Sequence, residues 1–100
     1  MLKQVVALNE GKILFYGIYN PEQIYGELDN VFRHYGMEKH DKGLYAGGQW
    51  EYHGAAVLYL KKQSWFMTYV EKWLWFGREE YPEMAEDLVA HYKRKGLIPS

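Results

Sequence analysis

Apolar residues enter the chain early, in two short blocks separated by a polar break. Val5-Val6-Ala7-Leu8 is followed by Asn9-Glu10-Gly11-Lys12 and then by Ile13-Leu14-Phe15-Tyr16-Gly17-Ile18-Tyr19. Apolar blocks bounded by turn residues predict a β-hairpin over 2–19, with Gly11 able to supply the positive φ of the turn. Both predicted strands are apolar on both faces, which places them centrally in a sheet or beneath a helix.

The period then changes. Ile24, Leu28, Val31, Phe32 and Tyr35 recur at the spacing that puts side chains on one stripe of a helix. Asn20 has the character of an N-cap, Pro21 suits the first helical position, and Gln23 is placed to close a capping box. Gly36 followed by Met37 predicts a left-handed stop with its hydrophobic contact. Glu38-Lys39-His40-Asp41-Lys42-Gly43 has no apolar pattern and is expected to be a surface loop.

From Leu44 to Phe76 the chain is dense in rings: Tyr45, Trp50, Tyr52, Tyr59, Trp65, Phe66, Tyr69, Trp73, Trp75 and Phe76. Aromatic residues favour strands, so strands are expected near 44–52, 55–61 and 65–76, with Lys61-Lys62-Gln63-Ser64 as a hairpin turn. A helix over 64–76 competes with the last of these, because Ser64, Thr68, Glu71 and Lys72 also share one side of a helical wheel. A final helix is expected from Pro82, with Met84, Ala85, Leu88 and Tyr92 on one stripe. Its acids (Glu79, Glu80, Glu83, Glu86, Asp87) come early and its bases (Lys93, Arg94, Lys95) late, before a second stop at Gly96.

These elements predict an α+β fold: an antiparallel sheet of four to five strands with two helices on one face, in the order ββα-βββα, as a single domain over 1–100. A shift of sixty positions aligns Ile24 with Met84, Leu28 with Leu88, Phe32 with Tyr92 and Gly36 with Gly96, which raises a ββα pseudo-repeat.

Composition narrows the context. With 48% hydrophobic and 18% aromatic residues, the chain can build a core without disulfides or a structural metal. It has no cysteine, which removes thiolate chemistry and fits a cytoplasmic location, and no run reads as a signal peptide or a membrane span. A net charge of −1 gives no general attraction to phosphate backbones or anionic membranes, so nucleic acid is disfavoured as a partner and a membrane is not expected.

Candidate chemistry is sparse. Ser64, Thr68 and Ser100 are the serine and threonine hydroxyls, and none sits in a nucleophile elbow. His40, Asp41, Glu51 and His53 form the one polar group with metal-ligating or acid–base potential: Glu51 and His53 would share a strand face, and the loop bearing His40 and Asp41 could close over it. The spacing matches no zinc motif, and solvated surface residues explain the group as well. No cofactor motif is present.

The rings carry the functional expectation. A domain of this size cannot easily bury all ten behind two helices, and exposed Trp and Tyr are the usual anchors of protein interfaces. The sequence therefore predicts a non-catalytic interaction module, in the size class of small regulators, inhibitors and phage or host accessory proteins. It would bind a protein partner or its own copy through Trp50, Tyr52, Trp65, Tyr69, Trp73 and Trp75. The alternatives are a small-molecule or metal pocket, with acid–base chemistry at His53 or Glu51, and a single-stranded nucleic-acid platform.

Overall fold

Alternation in the first strand decides where the core lies. Gln4, Val6 and Leu8 are buried while Lys3, Val5 and Ala7 are half-buried, so β1 (Lys3–Leu8) has one face inward. The computed structural model describes residues 2–77 and 86–98. In it β1 is central, flanked by β3 (Leu44–Ala46) and β4 (Val70–Phe76). The outer strands are β2 (Glu38–Asp41) and β5 (Glu86–Asp87), giving the order β2-β3-β1-β4-β5 with every pair antiparallel. The fold is α+β with a five-stranded antiparallel sheet, as the sequence predicts.

Among the described residues five helices accompany the sheet: α1 (Glu10–Tyr16), α2 (Pro21–His34), α3 (Trp50–Leu60), α4 (Ser64–Met67) and α5 (Leu88–Arg94). Register puts Gln4 opposite both Tyr45 and Trp75, and Val6 opposite Trp73, so these side chains share the inner face. Tyr45 stacks on Phe32 of α2 with ring centroids 4.1 Å apart, and Trp73 meets Tyr92 of α5 at 5.8 Å. Gln4 meets His53 of α3. Three helices rather than two therefore cover one face. The other face carries Val5, Ala7, Leu44, Leu74 and Phe76, all half-buried.

The α2 signals operate as predicted. Asn20 Oδ1 accepts from the Gln23 N–H and Gln23 Oε1 accepts from the Asn20 N–H, both at 2.9 Å. At its end Gly36 has φ 80°, its N–H donates to the Arg33 carbonyl, and the Met37 N–H reaches back to the Phe32 carbonyl. α5 ends in the same way, with Gly96 at φ 76° and Leu97 bonded back to Tyr92.

Five expectations are corrected. The strand expected near 44–52 ends at Ala46, because Gly47 and Gly48 take positive φ and Trp50 opens a helix. Residues 13–19 are not the second strand of a hairpin: Asn9 Oδ1 accepts the Lys12 N–H at 3.0 Å and starts a helix that Gly17, at φ 68°, ends. Residues 38–41 form an edge strand, not a loop; all four are exposed, so no burial pattern marks them. They pair with β3 through a turn at Gly43, where a Cβ would lie 2.1 Å from the Val6 carbonyl oxygen. The strand expected over 55–61 is helix α3, whose buried residues His53, Ala56, Val57 and Leu60 are helically spaced. The segment 65–76 divides into helix α4 and strand β4, so the expected hairpin turn Lys61-Lys62-Gln63-Ser64 instead joins α3 to α4, with Ser64 already helical.

The element order is thus βααββααββα, and the ββα pseudo-repeat is lost because β1 leads into α1. The start of the last helix at Pro82, with Met84, Ala85 and the acids Glu79, Glu80 and Glu83, lies outside the described residues. Glu86 and Asp87 are in β5, and Asp87 caps α5 by accepting the Ala90 N–H.

Candidate functional site

α1 is a helix with almost nothing beneath it. Ile13 is its one buried side chain, supported by Lys12 Nζ donating to the Thr68 carbonyl at 2.8 Å and by a Lys42–Glu10 ion pair. The rest of its apolar content faces outward: Leu14 is 65% exposed, Phe15 84%, Tyr16 52% and, beyond Gly17, Ile18 70%. Tyr19, just before the α2 cap, is also exposed. Six consecutive positions thus present five large apolar side chains, and a contiguous patch of this kind marks an interaction site far more often than scattered apolar residues do.

The patch borders a groove. Tyr16, Ile18 and Tyr19 form one wall and Ser64, Trp65, Thr68 and Tyr69 the other, enclosing about 340 Å³. Tyr69 lies between, its ring centroid 6.2 Å from that of Tyr16 and 6.3 Å from that of Tyr19, both in tilted or edge-on geometry. These contacts fix the floor of the groove, so a ligand meets prearranged rings.

The six expected anchors separate. Trp73 is fully buried and Tyr69 nearly so, which removes them as surface anchors although Tyr69 edges the groove. Trp65 is half-buried in its wall, with Nε1 donating to Gln63 Oε1. Trp50 (55% exposed) and Tyr52 lie outward on the first turn of α3, and Trp50 tilts over the half-buried Trp75 at 5.8 Å. The strongest surface, 14–19, lies outside the region the sequence points to. The missed signal is Asn9-Glu10, a cap followed by an acid in the first turn, which turns the apolar run after it into an outward-facing helix.

The polar group does not assemble. Glu51 and His53 lie on a helix, where residues two apart diverge by about 200° instead of sharing a face. Glu51, His40 and Asp41 are exposed and His53 is wholly buried. Among the described residues no cluster of three or more His, Cys, Asp or Glu side chains could hold a metal ion.

His53 instead belongs to a buried network. Its Nε2 lies 2.6 Å from the Gly47 carbonyl oxygen and so carries the proton, leaving Nδ1 to accept from Gln4 Nε2 at 3.4 Å. Gln4 Oε1 accepts the Trp73 Nε1–H at 3.0 Å, and Gln4 Nε2 also faces the His53 carbonyl. Burial lowers the His53 pKa, against a smaller upward pull from the Gly47 carbonyl. Both ring nitrogens are engaged within the fold.

No family model matches the chain, and neither does any curated protein or solved structure. Among the described residues no helix is long and apolar enough to cross a membrane.

Proposed function

We propose that the chain is a non-catalytic interaction module that binds another protein through the 14–19 patch and the adjoining groove. The observation that carries this reading is the run Leu14-Phe15-Tyr16-Gly17-Ile18-Tyr19, presented by a helix whose one buried side chain is Ile13. Tyrosine, phenylalanine and aliphatic side chains around a shallow prearranged groove supply the apolar centre of an interface, while the walls contribute Ser64, Thr68 and tyrosine hydroxyls for orientation. The aromatic region 44–76 still takes part, through Trp65 and Tyr69.

Strand addition is the poorer route to association. The β2 edge carries only Glu38, Lys39, His40 and Asp41 and is bulged between Lys39 and Asp41. Charge and irregularity both blunt sheet edges.

Capture from the native cell extract, followed by reconstitution with the purified captured protein, tests the proposal. Three baits are compared: the native chain, a Phe15→Ser/Ile18→Ser variant, and a Leu58→Ser control on the exposed side of α3. The expected result is a partner, or a second copy of the chain by light scattering, whose affinity falls at least about tenfold in the patch variant and not in the control. Equal affinity for all three would overturn it.

A further inference from the structure

The aromatic groove adjoins a second one. Ser64, Thr68 and Tyr69 belong to both, and the second, of about 590 Å³, is lined among the described residues by Lys12, Lys61, Lys62 and Lys93 with one carboxylate, Glu71. Its local excess of three positive charges sits on a chain whose net charge is −1, so positive charge is concentrated here. Among the described residues the ion pairs are Lys39–Asp29 and Lys42–Glu10, and none of the four groove lysines has a carboxylate within 4 Å. Lys12 joins the two halves: its ammonium donates to the Thr68 carbonyl and lies 5.9 Å from the centre of the Tyr16 ring.

We infer that the partner is an acidic protein segment carrying bulky apolar side chains. Its apolar side chains seat among Tyr16, Ile18, Tyr19 and Trp65, and its Asp and Glu residues lie over Lys12, Lys61, Lys62 and Lys93. This rests on the interaction-module reading and adds the partner's chemistry to it. Charge complementarity of this kind fixes register and accelerates encounter, while the apolar contacts supply most of the affinity.

A single-stranded nucleic acid fits less well. The Tyr16 and Tyr19 rings meet Tyr69 at 57° and 85°, so they offer no parallel ladder for successive bases, and exposed Leu14 and Ile18 add nothing to stacking. An anionic bilayer fits less well too, because the lysines line a concavity that a flat surface meets only at its rim.

Selection from a displayed library of random peptides on the native chain tests the inference. Anisotropy titration then follows with the selected peptides, their Asn/Gln analogues, oligothymidine and phosphatidylserine vesicles. The selected sequences are expected to be acidic with aromatic or aliphatic anchors. Their affinity is expected to fall at least about tenfold when Asp and Glu become Asn and Gln, and equally in Lys62→Glu/Lys93→Glu, while changing less than about twofold in a Lys72→Glu control.

Neutral or basic selected sequences, unchanged affinity in the lysine variant, or uptake of oligothymidine or vesicles in place of acidic peptides would each overturn the inference. If binding keeps its dependence on Phe15 and Ile18 in those cases, the interaction-module reading survives alone. Acidic peptides that bind independently of Phe15 and Ile18 overturn that reading as well. An empty selection together with a patch-dependent dimer makes a second copy the occupant and also overturns the inference.

Discussion

Two aromatic regions of this protein have opposite fates. Around Gln4, His53 and Trp73 the rings lie under three helices, and every polar edge among these three side chains has a partner. Along 14–19 rings of the same type stand in solvent on a helix with one buried residue. Ring content alone therefore does not separate core from surface. What separates them is what each element packs against: the inner rings lie beneath α2, α3 and α5, whereas α1 buries a single side chain, Ile13.

The sharpest way to break this contrast is to truncate one ring from each side. Trp73→Ala is expected to cost about 3–5 kcal/mol of stability, read from urea unfolding midpoints. A loss near zero would mean that the inner region is not the core.

Next in size is Gln4→Leu, which leaves the Trp73 indole N–H and the His53 ring without their shared partner. It is expected to cost about 1–3 kcal/mol despite adding apolar surface. A gain in stability would show that the network is dispensable.

A smaller effect is expected from pH. Because burial holds the folded His53 pKa below its ordinary 6.5, the unfolded chain takes up this proton first as pH falls. The His53 contribution is therefore complete above about pH 6.5 and declines below it, until the folded state is protonated too. Thermal midpoints should fall on acidification through this window, and His53→Gln should flatten that slope. A native chain with no such slope would refute the neutral, buried imidazole.

Smallest of all is Phe15→Ser, expected to change stability by no more than about 0.5 kcal/mol, because the ring rests on so little. A cost as large as that of Gln4→Leu would show the patch to be structural.

The legible parts of the fold are those where local chemistry and tertiary packing agree. The Asn20 cap, the Gln23 capping box and the glycine stops at Gly36 and Gly96 are local devices, so they read directly from the chain. The α+β class with an antiparallel sheet follows from the balance of periods. Residues 13–19 and 55–61 were obscured because aromatic and aliphatic side chains suit strands, yet here a cap at Asn9 and a helical spacing from His53 to Leu60 prevail. The edge strand β2 had no signature to read, since its pairing with β3 and not its side chains makes it a strand.

The candidate site was legible only in kind. Aromatic residues were the right class to consider, and Trp65 and Tyr69 do border the groove. Leu14, Phe15 and Ile18 could be recognised as exposed only once α1 was known to be a helix. His40, Asp41, Glu51 and His53 looked like a group because a strand would have aligned two of them, and a helix parts them.

The central position of β1 has a consequence for how the chain comes together. Gln4 is 69 residues from Trp73, and both neighbours of β1 are supplied by later segments, so β1 can pair with β3 once Leu44–Ala46 is made but lacks its second neighbour until Trp73 and the rest of β4 follow. Until then β1 keeps one open edge, and completion of the sheet waits on a long-range closure. Truncation before residue 70 removes the strand that completes the sheet around β1, so shortened chains should aggregate and not fold in part. The pairing of β1 with β4, far apart in sequence, is expected to limit the rate of assembly more than the final stability does.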